Sequence, residues 1–214
     1  MRRLQLVRIV VEAQSYGSRE EPRGVAPRGT PKHEGGERGS PLISFPWPRL
    51  RRVLIAAISD THLPRGARRI PDACLDRLAA ADLILHAGDI ATTAVLEELE
   101  AIGPPVRAVH GNVDCEELRR RLPEAVEVEA GGARIAMVHD AGPSRRRLER
   151  LRARFPAAAA VIFGHSHIPL HEERDGFQIF NPGSPTDRRR QPRHTMGMAE
   201  ARNGRITFEH VALD

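Results

Sequence analysis

From Arg52 onward, short apolar runs alternate with segments whose apolar residues recur at helical spacing, whereas residues 12–50 have neither period. That alternation is the mark of a layered α/β fold. Residues 53–58 predict a buried strand, 71–81 a helix with Pro71 near its first turn, and 82–85 a second strand. Val95, Leu96, Leu99 and Ile102 share a helical face that stops before Gly103-Pro104-Pro105. Residues 106–109 predict a third strand, and Asp114 with Glu117 three residues on has the pattern of a capping box for a short helix. Residues 125–129 and 133–138, joined by Gly131-Gly132, predict a hairpin that ends on His139. Ser144 is placed to cap a helix carrying Leu148, Leu151 and Phe155 on one face. Strands are predicted at 157–163, at 168–172 and 177–180 around an Asp175-Gly176 turn, and at 195–201 and 206–211 around an Asn203-Gly204 turn. No internal repeat interrupts this order.

Composition changes the picture mainly at the amino end. Residues 12–50 are dense in Gly, Pro, Arg, Glu and Ser and hold too little apolar surface to offset the entropy of ordering. Residues 1–50 are therefore expected to be a disordered Pro/Gly/Arg-rich extension, and residues 51–214 one domain. The first 50 residues hold nine Lys/Arg against five Asp/Glu, so they carry +4 of the chain's net +5. The basic balance thus belongs to the extension and does not mark the domain as nucleic-acid binding. Cys74 and Cys115 lack metal-type spacing and fit reduced thiols, which points to the cytoplasm. No stretch of 18 uninterrupted apolar residues occurs, so no membrane span is expected.

Candidate chemistry sits just after five of the predicted strands: Asp60-Thr61-His62, Gly88-Asp89, Gly111-Asn112, His139 and Gly164-His165-Ser166-His167. In α/β folds the loops at the carboxyl ends of strands converge on ligands. In an extended segment residues two apart share a side, so Asp60 and His62 can face one site, as can His165 and His167. Gly88, Gly111 and Gly164 each precede a candidate and allow close backbone approach. Seven donors exceed what one ion with an open position needs, and imidazoles with carboxylates and a carboxamide suit first-row divalent ions such as Mn²⁺, Fe²⁺ or Zn²⁺. Two such ions sharing a carboxylate activate a water and hold phosphate oxygens, which is hydrolysis of a phosphoester.

The ordered series Asp60-x-His62, Gly88-Asp89, Gly111-Asn112-x-Asp114, His139 and Gly164-His165-Ser166-His167 resembles the calcineurin-like metallophosphoesterases, in their small single-domain bacterial and archaeal phosphodiesterase branch. Asn181-Pro182-Gly183-Ser184 is similar to that branch's tail motif. The resemblance implies a four-layer αββα sandwich and a metal-bridging hydroxide that attacks a phosphodiester. Carried over by position, Asp60, His62, Asp89 and His167 hold one ion, and Asp89, Asn112, His139 and His165 the other. Mn²⁺ is the first expectation for both, ahead of Fe²⁺, Zn²⁺ or Ni²⁺. Asp89, Asn112 and His165 are the implied catalytic residues. Many members carry a His acting as general acid where this chain has Val113, and a Gly where it has Asp140.

Other residues have plainer roles. His86 and His110 are expected in the core or behind the ligands, Asp114 as a cap or an orienting group, and His171, His194 and His210 on the surface. Asn112, Arg188 and Arg189 are candidate substrate contacts, because guanidinium grips phosphate in a bidentate way. The expected partner is a small phosphoester, with neither membrane nor nucleic acid, and a homodimer is left open. Two alternatives compete: a non-catalytic interaction module on the same fold, as the retromer subunit is, and a nuclease. Retention of all seven donors argues against the first, and the scarcity of aromatic residues for base stacking against the second.

Overall fold

The computed structural model describes residues 42–44, 51–65 and 68–214. Its elements in chain order are β1 Leu42–Ser44, β2 Val53–Ile58, α1 Asp72–Ala80, β3 Leu83–His86, α2 Thr93–Glu100, β4 Val106–Ala108, α3 Glu116–Arg121, β5 Ala125–Ala130 and β6 Ala133–Val138. There follow α4 Arg147–Arg154, β7 Ala160–Ile162, β8 Leu170–Arg174, β9 Phe177–Asn181, β10 Thr195–Arg202 and β11 Arg205–Ala212. They form a six-stranded sheet in the order β1-β5-β6-β7-β9-β8 and a five-stranded sheet in the order β11-β10-β2-β3-β4.

Three apolar layers hold four layers of structure together. Between the sheets, Val53, Ile55, Leu83 and Leu85 meet Val128, Ile135, Met137 and Ile162. Successive strand residues point to opposite faces, so Ala56, Ile58 and Ile84 face outward and pack under Leu78 of α1, Leu96 and Leu99 of α2 and Leu118 of α3. On the far side, Val138, Val161 and Ile179 pack under Leu148, Leu151 and Phe155 of α4. This is the layered α/β fold that the sequence pattern predicts, in the four-layer αββα form that the family resemblance implies. Strands buried on both faces read as continuous apolar runs, which is why their periodicity resembles no amphipathic pattern.

Parallel pairing positions the site. β2, β3 and β4 run parallel in one sheet, and β6 and β7 run parallel in the other. Their carboxyl ends, which carry the five candidate segments, therefore open on one rim of the sandwich.

Several local readings differ from the structure. Leu42–Ser44 pairs in parallel with β5, ahead of the expected start at 51; three residues are too few to leave a period in the sequence. The rest of the disorder reading for residues 1–50 lies outside the described residues. Asp114 does not cap α3, whose N-cap is Cys115 without a side-chain bond. Ser144 does not cap α4, which begins two residues later than such a cap would place it, after Arg146 in the left-handed conformation. His210 is not a plain surface residue: it is half-buried and stacks on Phe180 at 4.3 Å between centroids.

Candidate metal centre

Five of the seven candidate donors stand on backbone of the left-handed type. Asp60, His62, Asp89, His165 and His167 have φ of 56°, 49°, 59°, 67° and 58°. The extended geometry expected for the Asp60–His62 and His165–His167 segments is therefore corrected. Asp and His are among the residues that tolerate this region best, yet each instance costs on the order of 1–3 kcal/mol and needs its surroundings to hold it. Here the loops hold one another: Asp60 N–H donates to the Gly88 carbonyl at 2.9 Å, His62 N–H to Asp89 at 3.0 Å and Gly164 N–H to His139 at 3.0 Å. The approach is close enough to demand glycine. A Cβ on Gly111 would lie 2.1 Å from the Asp89 carboxylate, and one on Gly164 2.8 Å from that of Asp60.

The seven side chains converge in two halves. In one, Nε2 of His62 and Nε2 of His167 face each other at 3.1 Å, and Asp60 Oδ1 lies 3.3 Å from His167 Nε2. In the other, Asn112 Oδ1 lies 3.2 Å from His139 Nε2 and 2.9 Å from His165 Nδ1. Asp89 stands between them, with Oδ2 3.5 Å from His62 Nε2 and 3.3 Å from His139 Nε2. Asp60 also faces both sides: one donor atom each from Asp60, His62 and His167, and likewise from Asp60, Asp89 and His139, gather within 4.8 Å. His165 and His167 thus part company, the first exposed beside Asn112 and the second buried beside His62.

Hydrogen bonds behind the donors fix their tautomers. His139 Nδ1–H donates to the Ala87 carbonyl at 2.8 Å and His167 Nδ1–H to the Asp187 carbonyl, which aims both Nε2 atoms inward. Burial pushes His167 down to about 4 and also lowers His62, so both are neutral donors near pH 7. Burial likewise lowers His139, but the hydrogen bond it donates to the Asp89 carboxylate and the charges of Asp60 and Asp89 outweigh it and hold it above its ordinary value. The two carboxylates diverge. Burial pushes Asp60 up to about 7, against the pull of His139 and the Ser59 hydroxyl. For Asp89 the same burial penalty is overcome by hydrogen bonds from His139 and Val113 N–H and by the charges of His139 and His62, which bring it to about 2.

A surrounding frame, largely invisible in the sequence pattern, holds these loops. Asp114 accepts from the N–H groups of Asp89 at 3.2 Å, Ala91 at 2.6 Å and Gly111 at 2.6 Å, so it orients two loops at once. His86, buried and lowered to about 4 by that burial, bonds the Thr61 hydroxyl at 3.1 Å. The Asn181-Pro182-Gly183-Ser184 segment is a fastening. Asn181 Nδ2 donates to the Gly164 carbonyl at 2.9 Å, Ser59 Oγ to the Gly183 carbonyl at 2.9 Å and Ser184 Oγ to the Asp60 carbonyl at 2.8 Å. Thr186 adds a bond to the Thr61 carbonyl at 2.6 Å.

Two clefts flank the centre. One of about 420 Å³ is lined by His110, Asn112, Arg119, Arg154, His139 and His165. The other, of about 530 Å³, holds the predicted substrate contacts Arg188 and Arg189 together with Arg68 and Arg69, which sequence reasoning missed because single arginines in a loop carry no pattern. Val113 is exposed between ligand loops and offers no proton. Asp140 accepts from Gly142 N–H at 2.7 Å and closes the turn after His139 where a glycine was the commoner expectation.

Paired neutral imidazoles with converging Nε2 atoms, backed by carbonyls and flanked by buried carboxylates, are the donor set of a divalent-metal site. Comparison with known proteins agrees. Residues 53–204 match the model of the calcineurin-like phosphoesterase superfamily domain. A probable metallophosphoesterase of Methanothermobacter thermautotrophicus is 39% identical over 140 residues, covering 63% of this chain and 78% of its own length. A phosphodiesterase of Methanocaldococcus jannaschii is 26% identical over 142 residues, 60% of this chain and 82% of its own. The crystal structure of Vps29 complexed with zinc from Entamoeba histolytica shares the fold at a TM-score of 0.61, with 22% identity, covering 75% of this chain and 99% of that one. With sandwich, donor set and family match in agreement over the same residues, the chain belongs to the calcineurin-like phosphoesterase superfamily.

Proposed function

We propose that the chain is a phosphodiesterase that works with two divalent ions, Mn²⁺ first among them. Asp60, His62, Asp89 and His167 would hold one ion and Asp89, Asn112, His139 and His165 the other. The observation that carries this reading is the place of Asp89, whose Oδ2 lies within 3.5 Å of His62 and 3.3 Å of His139, so one carboxylate serves both halves. When bound, such ions activate water at neutral pH and neutralise phosphate oxygens.

The chain's own residues supply the rest. Asp89, the most acidic group of the centre, stays ionised at any working pH and keeps its charge between the halves. The Asn112 carboxamide turns Oδ1 toward His139 and His165, which frees its NH₂ to donate to a phosphate oxygen. A cleft on each side of the centre gives room for two ester substituents, which favours a diester over a monoester. Because Val113 gives no proton, the leaving group departs as an anion or takes its proton from water, which favours aryl or other acidic leaving groups.

The test is Mn²⁺-dependent hydrolysis of bis-p-nitrophenyl phosphate by the purified chain, with p-nitrophenyl phosphate as the monoester control and metal content measured in parallel. Two ions per chain and faster diester hydrolysis are expected, and Asp89→Asn removes activity while the protein stays folded. Full activity in Asp89→Asn would refute the reading.

A further inference from the structure

The cleft beside His167 brings together two loops far apart in sequence. Arg68 and Arg69 come from the segment after the Asp60–His62 loop, and Arg188 and Arg189 from the segment after Ser184. Asp187 is the carboxylate on its wall, and it is already engaged by Arg68 Nη1 at 3.0 Å and Arg65 Nη1 at 3.7 Å. Arg69, Arg188 and Arg189 make no salt bridge with any described carboxylate. Four arginines against one aspartate in a concave wall concentrate a positive field, and guanidinium is the side chain best matched to phosphate oxygens.

This cleft is fastened to the metal centre. The Thr186 hydroxyl donates to the carbonyl of Thr61, between the donors Asp60 and His62, and the Asp187 carbonyl accepts from His167 Nδ1–H. The Arg189 charge reaches both His62 and His167. The wall of the arginine cleft is therefore tied directly to the His62–His167 half of the centre.

We infer that the Arg68, Arg69, Arg188 and Arg189 cleft is a subsite for a second phosphate of the substrate, so the preferred substrate is a phosphodiester in which one esterified group bears a further phosphate. The inference rests on the phosphodiesterase reading and narrows it. It also changes the part played by Arg188 and Arg189, which grip this remote anion and not the phosphorus under attack.

Two measurements separate the claims. The first compares kcat/KM for thymidine 5′-(p-nitrophenyl phosphate) with and without a 3′-phosphate, a pair that shares the scissile ester. The full chain prefers the 3′-phosphorylated ester, and Arg69→Ala or Arg189→Ala narrows that preference about tenfold, the equivalent of about 1.4 kcal/mol. The second is calorimetric titration of the metal-free full chain with inorganic tripolyphosphate, where each variant binds about tenfold more weakly and the affinity of the unsubstituted protein falls with added salt. Melting by circular dichroism checks that the variants are folded. Equal kcat/KM for the two esters in the unsubstituted protein overturns the subsite and leaves the hydrolytic reading standing. Hydrolysis of neither ester, with arginine-dependent tripolyphosphate binding, overturns the hydrolytic reading and supports the anion site.

Discussion

Asp60 gives the sharpest test of how this centre is built. Its carboxyl is fully buried, and burial lifts it from 3.8 to about 7. In the metal-free protein the folded state therefore keeps the Asp60 proton across a pH range in which the unfolded chain has released it. The stabilisation this provides is full below pH 3.8 and is lost as pH rises through about 7. A shift of about three pH units corresponds to about 4 kcal/mol as an upper bound. Above that window the folded protein must hold an ionised carboxylate in a dry site close to Asp89. Asp60→Asn removes the charge and keeps the hydrogen bonds. The amide oxygen accepts from His165 N–H, now 3.1 Å from Asp60 Oδ1, and the amide NH₂ donates to Ser59 Oγ, whose own proton goes to the Gly183 carbonyl at 2.9 Å. In EDTA at pH 8 the variant should melt about 5–10 °C above the unsubstituted chain, for a domain of this size. At pH 5 the gain falls to about a third, because most of the window has not been crossed. Added Mn²⁺ reverses the order, since ligand binding stabilises only the protein that retains the donor. Differential scanning fluorimetry in the two buffers, with and without Mn²⁺, reads all three. A metal-free Asp60→Asn protein that melts at or below the unsubstituted chain at pH 8 refutes the reasoning.

The other carboxylate should behave in the opposite sense. Asp89 is held at about 2, so its stabilisation is present above its ordinary value and lost only as pH falls through about 2; metal-free Asp89→Asn should melt lower than the unsubstituted chain at pH 8. Asp114→Ala leaves three N–H groups without their acceptor, and urea unfolding should report a loss of at least about 2 kcal/mol. The same variant should bind Mn²⁺ about 10–100-fold more weakly by calorimetry. Ser184→Ala strips the Asp60 carbonyl of its donor and should destabilise the fold by about 1–3 kcal/mol. Val113→His introduces an imidazole beside the leaving-group side and should raise kcat for an alkyl leaving group at least about tenfold, with little change for p-nitrophenolate, and should add an alkaline limb to the pH profile.

Much of this architecture is legible in the chain because strands and donors sit next to each other in sequence. The runs at Val53–Ile58 and Ala160–Ile162 end directly on Asp60-x-His62 and His165-x-His167, so position and chemistry can be read together. What stayed hidden depends on pairing over long distance. Asp114 has a local role to offer, a cap three residues before Glu117, and nothing nearby in sequence reveals that it accepts from Asp89, Ala91 and Gly111 instead. The left-handed conformation of Asp60 and His62 is equally unreadable, since Asp and His adopt it only when an outside partner over-determines the loop. Arg68 and Arg69 gain meaning only because a segment about 120 residues later folds against them.

The fastening by Asn181, Gly183 and Ser184 has a consequence in time. Every candidate donor, from Asp60 to His167, precedes in synthesis the Asn181–Ser184 segment that fastens two of the donor loops. β10, which completes the sheet beside β2, comes later still. A nascent chain that ends at residue 180 carries all seven candidate donors but lacks the side-chain bonds from Asn181 and Ser184 to the Gly164 and Asp60 carbonyls. The full set of bonds around the candidate donors therefore forms only after the Asn181–Ser184 segment has been made, and the order of residues in the gene sets when the centre closes.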